Sequence, residues 1–334
     1  MTKRSLRVAV AGVGHYHAAF YPVYLELIKQ HGGELVAVAD SDVTLAEERA
    51  RRFGGVAYGD FRHMIAEQRP DFVLGLGRHF EMPEIFSGLL DAGVPFLMEK
   101  PWGIDAATVQ ELATFAEERG AWVATPFAFR HTRWIETALT LRSSGELGRI
   151  SHIRFRMVRP GVQRYRDQDS AWMLSKAEAG GGVLLNLGVH GLDLCRLLTG
   201  EEPEVVGAVV SNAVFELDVE DYASVLLRTP SGVVCHVEVG YTHPTATGDD
   251  DDRVIATDRL LLRDGARGLG CTIITAGEEQ HVPEPSGYAA LWSGVIADCL
   301  DRVRRGEPPP TTPRDTARAV SLVFEAYEKA AILA

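Results

Sequence analysis

The chain has 334 residues, 46% apolar and 24% charged, with 34 Lys and Arg against 46 Asp and Glu for a formal net charge of −12. That length allows two domains with separate cores. The acidic balance, with no basic stripe set against it, excludes a nucleic-acid or anionic-membrane surface but not a dinucleotide, which is held mainly by backbone amides.

Lys3 and Arg4 before the apolar run Val8-Ala9-Val10-Ala11 resemble a secretory signal only faintly, because the run is too short and leads straight into glycine. Leu6 to Ala11 is expected to be a parallel strand covered on both faces. Gly12-Val13-Gly14-His15-Tyr16-His17 follows, where two glycines permit a tight turn and let backbone N–H groups approach a pyrophosphate; His17 stands where the fingerprint has its third glycine. His15 and His17 suggest a metal pair, but nothing near them in sequence completes a ligand set, so no metal is expected. A helix is expected over Ala18 to Gln30, with Pro22 in its first turns, then a strand from Leu35 to Ala39.

Asp40 closes that strand, 26 residues after Gly14, where a carboxylate accepts from the adenosine ribose hydroxyls and repels a 2′-phosphate; the expectation is NAD rather than NADP. Helices at Thr44–Phe53, Pro83–Ala92 and Asp105–Arg119 alternate with strands at Phe72–Leu76, Val94–Met98 and Trp122–Ala124. This alternation specifies a doubly wound parallel sheet. After about Thr125 the period changes to two. Ile153, Phe155 and Met157 alternate with Arg154 and Arg156, and Cys235, Val237 and Val239 with His236 and Glu238, which is antiparallel sheet. Tyr222–Arg228 reads as the hairpin partner of the latter strand through Thr229-Pro230-Ser231-Gly232. The acidic run Asp249 to Asp252 is expected to be a solvated loop, and a last helix runs from Pro313 to Ala331. The cysteines, Cys195, Cys235, Cys271 and Cys299, are too scattered for a zinc ribbon or disulfide framework; reduced thiols, no membrane span and a cytoplasmic location are expected.

Two further segments carry chemistry. Glu99-Lys100-Pro101-Trp102 places a lysine, fixed by proline and flanked by a carboxylate, at the end of a late strand. Gly180-Gly181-Gly182 leads into an expected helix on which Asn186 and His190 share a face at i,i+4, with Asp193 at i+3 from the histidine and able to hold its ring.

Together the Gly-x-Gly turn, Asp40, Glu99-Lys100-Pro101 and Gly180-Gly181-Gly182…His190…Asp193 resemble the Gfo/Idh/MocA family of NAD(P)-dependent oxidoreductases. The resemblance includes Phe129-Arg130, Gly145-Glu146-Leu147-Gly148 and Trp172, and runs over nearly the whole chain. It implies an α/β protein: a Rossmann domain over 1–125 and an α/β domain with a large, mainly antiparallel open sheet over 126–334, used for substrate and for homodimers or homotetramers, with the last helix able to return to the first domain. It implies hydride transfer between NAD and a secondary alcohol or ketone of a sugar-like or cyclic polyol. Gly12, Val13, Gly14, His15, Tyr16, Asp40, Gly77, Glu99, Lys100, Pro101 and Arg130 would face the cofactor, and Lys100, Arg166, Trp172, Asn186 and His190 the substrate. His190 would take the hydroxyl proton and Lys100 polarise the same oxygen. Asn186, commonly Asp in the family, cannot stabilise an imidazolium, which shifts weight onto Lys100. Gly77-Arg78-His79-Phe80-Glu81-Met82 also departs from the family's Thr-Pro-Asn pattern. A non-redox NAD-dependent glycosidase and a non-catalytic dinucleotide or sugar sensor are the other readings.

Overall fold

The computed structural model describes residues 5–19, 23–265, 270–284 and 288–332. Its first sheet is built from β1 (Leu6–Ala11), β2 (Gly33–Ala39), β3 (Val56–Tyr58), β4 (Phe72–Gly75), β5 (Phe96–Met98) and β6 (Val123–Ala124). All pairs are parallel and the order is β3-β2-β1-β4-β5-β6. Strand order reverses between β1 and β4, where the loops after the strand ends diverge and leave the crevice that such sheets use for ligands. Val8, Ala9, Val10 and Ala11 are fully buried, as a strand covered on both faces requires.

The second sheet contains β7 (Ile150–Pro160), β8 (Glu204–Ser211), β9 (Tyr222–Arg228), β10 (Val234–His243), β11 (Asp250–Thr257), β12 (Leu261–Asp264), β13 (Cys271–Ile274) and β14 (Glu279–Val282). Its order is β14-β13-β12-β11-β7-β10-β9-β8, antiparallel except for β7 with β10. The expected alternation holds: Ile153, Phe155, Met157, Cys235, Val237 and Val239 are buried while Arg154, Arg156, His236 and Glu238 are partly exposed.

One expectation is corrected, that for the acidic run. The first expected helix is described over Tyr16–Ala19 and Val23–Gln30, while Pro22 lies outside the described residues. Asp250 to Asp252 of the acidic run are strand and not loop, because arginines neutralise them: from β7, Arg156 reaches Asp250 at 2.7 Å and Arg154 reaches Asp252 at 2.6 Å, while Arg159 of β7 and Arg253 of β11 itself both hold the buried side chain of Asp251. Short elements at Val56–Tyr58, Phe61–Gln68, Arg133–Ser143 and Tyr288–Arg305 had no sequence expectation.

The chain divides into two compact units that are not contiguous in sequence. One comprises 1–126, 165–180 and 292–318, the other 127–164, 181–291 and 319–334. Hydrogen bonds explain why 165–180 and 292–318, expected beyond residue 125, belong with the first sheet. Trp172 Nε1 donates to the Gly14 carbonyl, Trp122 Nε1 to the Glu307 carbonyl, and the Thr125 amide to Thr311 Oγ1 at 2.8 Å.

Candidate active site

In the first unit, the turn after β1 is fixed by backbone. Gly12 has φ +76°, and a Cβ there would sit 2.7 Å from the Gly77 backbone, so the loop after β1 meets the loop after β4 only because Gly12 carries no side chain. The amides of Gly12, Val13 and His15 are bound inside the fold, to the Ala39 carbonyl, Asp40 Oδ2 and the Leu76 carbonyl. Their contribution is therefore to shape the loop. A cation the sequence reading passed over stands beside it: the Arg78 side chain lies 2.9 Å from where a Gly14 Cβ would be, and pairs with Glu81. Asp40 is buried at the end of β2 and accepts from Val13 N–H at 2.7 Å and Asp42 N–H at 2.9 Å.

The lysine segment follows β5. The Glu99 amide extends the ladder to the Gly75 carbonyl, the Lys100–Pro101 peptide is cis, and Trp102 adopts φ 77°. Trp102 is fully buried against Phe86 and donates to the Met98 carbonyl, anchoring the turn; truncating it would cost about 3–5 kcal/mol. Lys100 is itself buried, and that desolvation, only partly offset by Glu99, lowers its pKa from 10.5 to about 8. Glu99 is fully buried and its Oε2 takes Tyr24 O–H at 2.7 Å and His17 Nδ1 at 3.1 Å. Burial alone would push its carboxyl up, but His17, followed by Lys100 and Tyr24, holds it below the usual carboxylate range.

Nothing near the two histidines in sequence completes a ligand set, but a third group comes from a distance. The fold brings Glu99 to them from 82 residues away, and one ligand atom each from His15, His17 and Glu99 lies within 4.8 Å of the others. Tautomers argue against a cation on His15. The His17 amide donates to His15 Nδ1 at 3.2 Å, so the neutral ring carries its proton on Nε2 and presents a donor there. Burial, reinforced by His17, His79 and Lys100, holds His15 far below the usual imidazole range and keeps it neutral.

His79, in the loop that follows β4, gains its partners only from the fold. Its Nδ1 donates to the Ala179 carbonyl at 2.8 Å, its ring stacks 5.9 Å from that of His15, and Trp172 meets it edge-on at 4.8 Å. Burial and Lys100 lower its pKa to about 3. Its signal in the sequence is a place in the loop after a strand, two residues past Gly77. Trp172 and Arg166, expected in the second domain, lie in the first unit, and Tyr165 packs on Tyr16 at 5.1 Å.

The second unit holds Arg130, Asn186 and His190. The expected α-helical face is corrected: Leu184–Gly188 is π-wound, with the Val189 amide reaching back five residues to the Leu184 carbonyl, before an α-helix runs from Val189 to Thr199. Close packing of the glycine run imposes this entry. A Cβ on Gly182 would lie 2.1 Å from the Glu220 carbonyl. The Glu220 carboxylate caps the segment, accepting from the Gly182 and Leu184 amides at 2.9 and 2.8 Å and from Tyr327 O–H at 2.7 Å. His190 is buried against Phe127 and Phe129, and Asn186 donates to Tyr241 O–H at 2.7 Å. Asp193 is gripped by Arg130, whose Nε donates at 2.8 Å and whose terminal nitrogen also reaches it. Arg130 and Asp193 thus form an ion pair in which Asp193 is buried and Arg130 partly covered.

Known proteins agree with this architecture. Residues 6–127 match the family model described as oxidoreductase family, NAD-binding Rossmann fold, and residues 135–258 the GFO/IDH/MocA C-terminal domain. The chain is 29% identical over 312 residues to trans-1,2-dihydrobenzene-1,2-diol dehydrogenase of Mus musculus, covering 89% of this chain and 88% of that one. It is 30% identical over 218 residues to the Oryctolagus cuniculus enzyme of the same name, a match spanning 64% of that protein's length. The structure of GenD2 from gentamicin A biosynthesis, in complex with NAD, superposes with a TM-score of 0.82 at 25% identity over 98% of this chain and 95% of that one. That of levoglucosan dehydrogenase with NADH and levoglucosan reaches 0.87 at 19% identity, covering 99% and 98%, and shows the same fold. With both its nucleotide-binding and its C-terminal region matched, the chain belongs to the Gfo/Idh/MocA family of oxidoreductases.

Proposed function

We propose that this protein is an NAD-dependent dehydrogenase that moves a hydride between the nicotinamide and a secondary alcohol or ketone of a sugar-like or cyclic polyol. The observation that carries the reading is Lys100: a buried ammonium with a pKa of about 8, seated on the fixed Glu99–Tyr24–His17 cluster at the carboxyl edge of a parallel sheet. The names of the matched proteins, a dihydrodiol dehydrogenase and a levoglucosan dehydrogenase, support the substrate class.

The residues present fit the cofactor. Asp40 has carboxylate lone pairs for ribose hydroxyls beside the Gly12–Gly77 contact, which favours NAD over NADP, and Arg78 supplies a cation for phosphate next to Gly14. When bound, NAD supplies the hydride chemistry. The protein's own task is the proton. Oxidising a carbinol requires loss of the hydroxyl proton, and a cation beside that oxygen stabilises its developing negative charge. Lys100 performs the second task, and its lowered pKa lets it share the first with His190, which the amide of Asn186 cannot hold as an imidazolium. Arg166 and Trp172 are assigned to substrate. A location in the cytoplasm fits the four buried free cysteines, and no helix among the described residues is long and apolar enough to cross a membrane.

Val206 on β8, Leu226 on β9 and Val234 on β10 are exposed on adjacent strands of the open sheet, a face suited to a homodimer or homotetramer. Light scattering would give the assembly. Screening polyols for NAD reduction tests the activity. A substrate should appear among vicinal cyclic diols or sugars, and Lys100→Met should abolish most turnover while NADH still binds; undiminished turnover in that variant would refute the assignment.

A further inference from the structure

Among the buried atoms of the first unit that meet no hydrogen-bond partner within the described residues are His15 Nε2, His79 Nε2 and Glu99 Oε1. Unmet polar atoms at such depth carry a desolvation cost that a ligand would relieve. Their chemistry is specific. His15 receives the His17 amide on Nδ1 and so offers an N–H at Nε2; His79 gives its Nδ1 proton to the Ala179 carbonyl and so offers a lone pair at Nε2. The two rings are nearly parallel, 27° apart with centroids 5.9 Å distant, yet the donor of one does not meet the acceptor of the other. Both rings are almost completely buried and held neutral, and Trp172 closes over both at 4.8 and 6.0 Å.

A planar neutral group with one acceptor and a pair of donors matches this arrangement, and an anion does not, since His79 Nε2 and Glu99 Oε1 would repel it. We infer that His15 and His79 together read the carboxamide of the nicotinamide, His15 donating to its oxygen and His79 accepting from its nitrogen. This rests on the NAD reading above. It makes the two histidines specificity-determining residues for the cofactor head and gives the His79 segment, where the chain departs from its family, a role. Lys100, which lowers the pKa of both rings by its charge, is thereby left for the substrate side of the site.

The test is calorimetric and needs no turnover. Wild-type protein is titrated with ADP-ribose, NADH and the reduced 3-acetylpyridine analogue of NADH, whose acetyl group keeps the carbonyl but lacks the NH2. The expected result is that ADP-ribose binds and that NADH binds about tenfold more tightly than the acetyl analogue, the value of one hydrogen bond to a buried acceptor. In His79→Phe, which keeps a ring against Trp172, the ratio should fall to near one while ADP-ribose affinity stays within about twofold. The ADP-ribose arm certifies that the variant is folded. If wild-type protein binds NADH and the acetyl analogue equally, or if His79→Phe retains the preference, the carboxamide assignment is overturned while the dinucleotide reading stands. Failure of wild-type protein to bind ADP-ribose would instead overturn the dinucleotide reading and the inference with it.

Discussion

Replacing Lys100 with Met should make the protein more stable and less active. The lysine is buried, and its pKa falls from 10.5 to about 8 because desolvation disfavours the ammonium. Holding the proton that much more weakly in the fold corresponds to about 3 kcal/mol. The sign follows from proton counting. Below pH 8 both folded and unfolded chains hold the proton, so the fold carries the whole cost of burying the charge. Between pH 8 and 10.5 the folded chain releases it first, the unfolded chain binds more protons, and stability rises with pH. Methionine keeps the volume and removes the charge, although Glu99 loses a neighbouring cation, so a gain of about 1–3 kcal/mol at pH 7 is expected. With a urea slope of about 3 kcal/mol per molar, the midpoint should rise by up to about 1 M. Urea titrations followed by tryptophan fluorescence at pH 7 and pH 10 would measure it. Wild-type protein should gain about 2–3 kcal/mol relative to Lys100→Met over that interval. Equal pH dependence in the two proteins, or a variant less stable at both pH values, would refute the reasoning.

His79 should make the protein acid-sensitive: its folded pKa is about 3 against 6.5 for a free imidazole, so the unfolded chain takes up the proton first as pH falls. About 3 kcal/mol should be lost between pH 6.5 and pH 4, and denaturation curves of His79→Gln should be flatter over that range. Asp40→Asn keeps the shape that receives the Val13 amide but removes the charge; NADH should bind about tenfold more weakly and the preference over NADPH should shrink, as competitive titration would reveal. Gly182→Ala drives a Cβ into the Glu220 carbonyl and should lower stability by at least about 1–3 kcal/mol in thermal unfolding. A normal melting temperature in that variant would mean the glycine run is not a packing requirement.

Much of the first sheet was legible because parallel strands buried on both faces are continuous apolar runs and their helices end in glycine, as Gly93 does with φ 64°. Val56–Tyr58 was not legible: it is a short edge strand, two of its residues only half covered, and carries no strong period. The π-winding at Leu184–Gly188 was invisible because its supports are distant in sequence: the Glu220 carboxylate takes the Gly182 and Leu184 amides and is itself held by Tyr327. The same holds at the candidate site. Lys100 and Asp40 announce themselves by position after strands, whereas the partnership of His17 with Glu99 spans 82 residues and depends on β1 and β5 being near neighbours in the sheet. Arg130 was readable as a conspicuous cation, but only the fold reveals that Asp193 occupies it.

The chain passes between its two compact units after residues 126, 164, 180, 291 and 318. Cutting it at the apparent boundary near residue 125 would therefore not release a self-sufficient nucleotide-binding fragment. Such a fragment would lack Trp292, which packs on His17 and Tyr24 at 4.7 and 5.3 Å, Trp172 over the glycine turn, and the threonines that hold Thr125. Exchange of cofactor modules between relatives by recombination at that point would strand both parents' aromatic contacts. The two units must therefore be inherited, engineered and folded as one piece of chain.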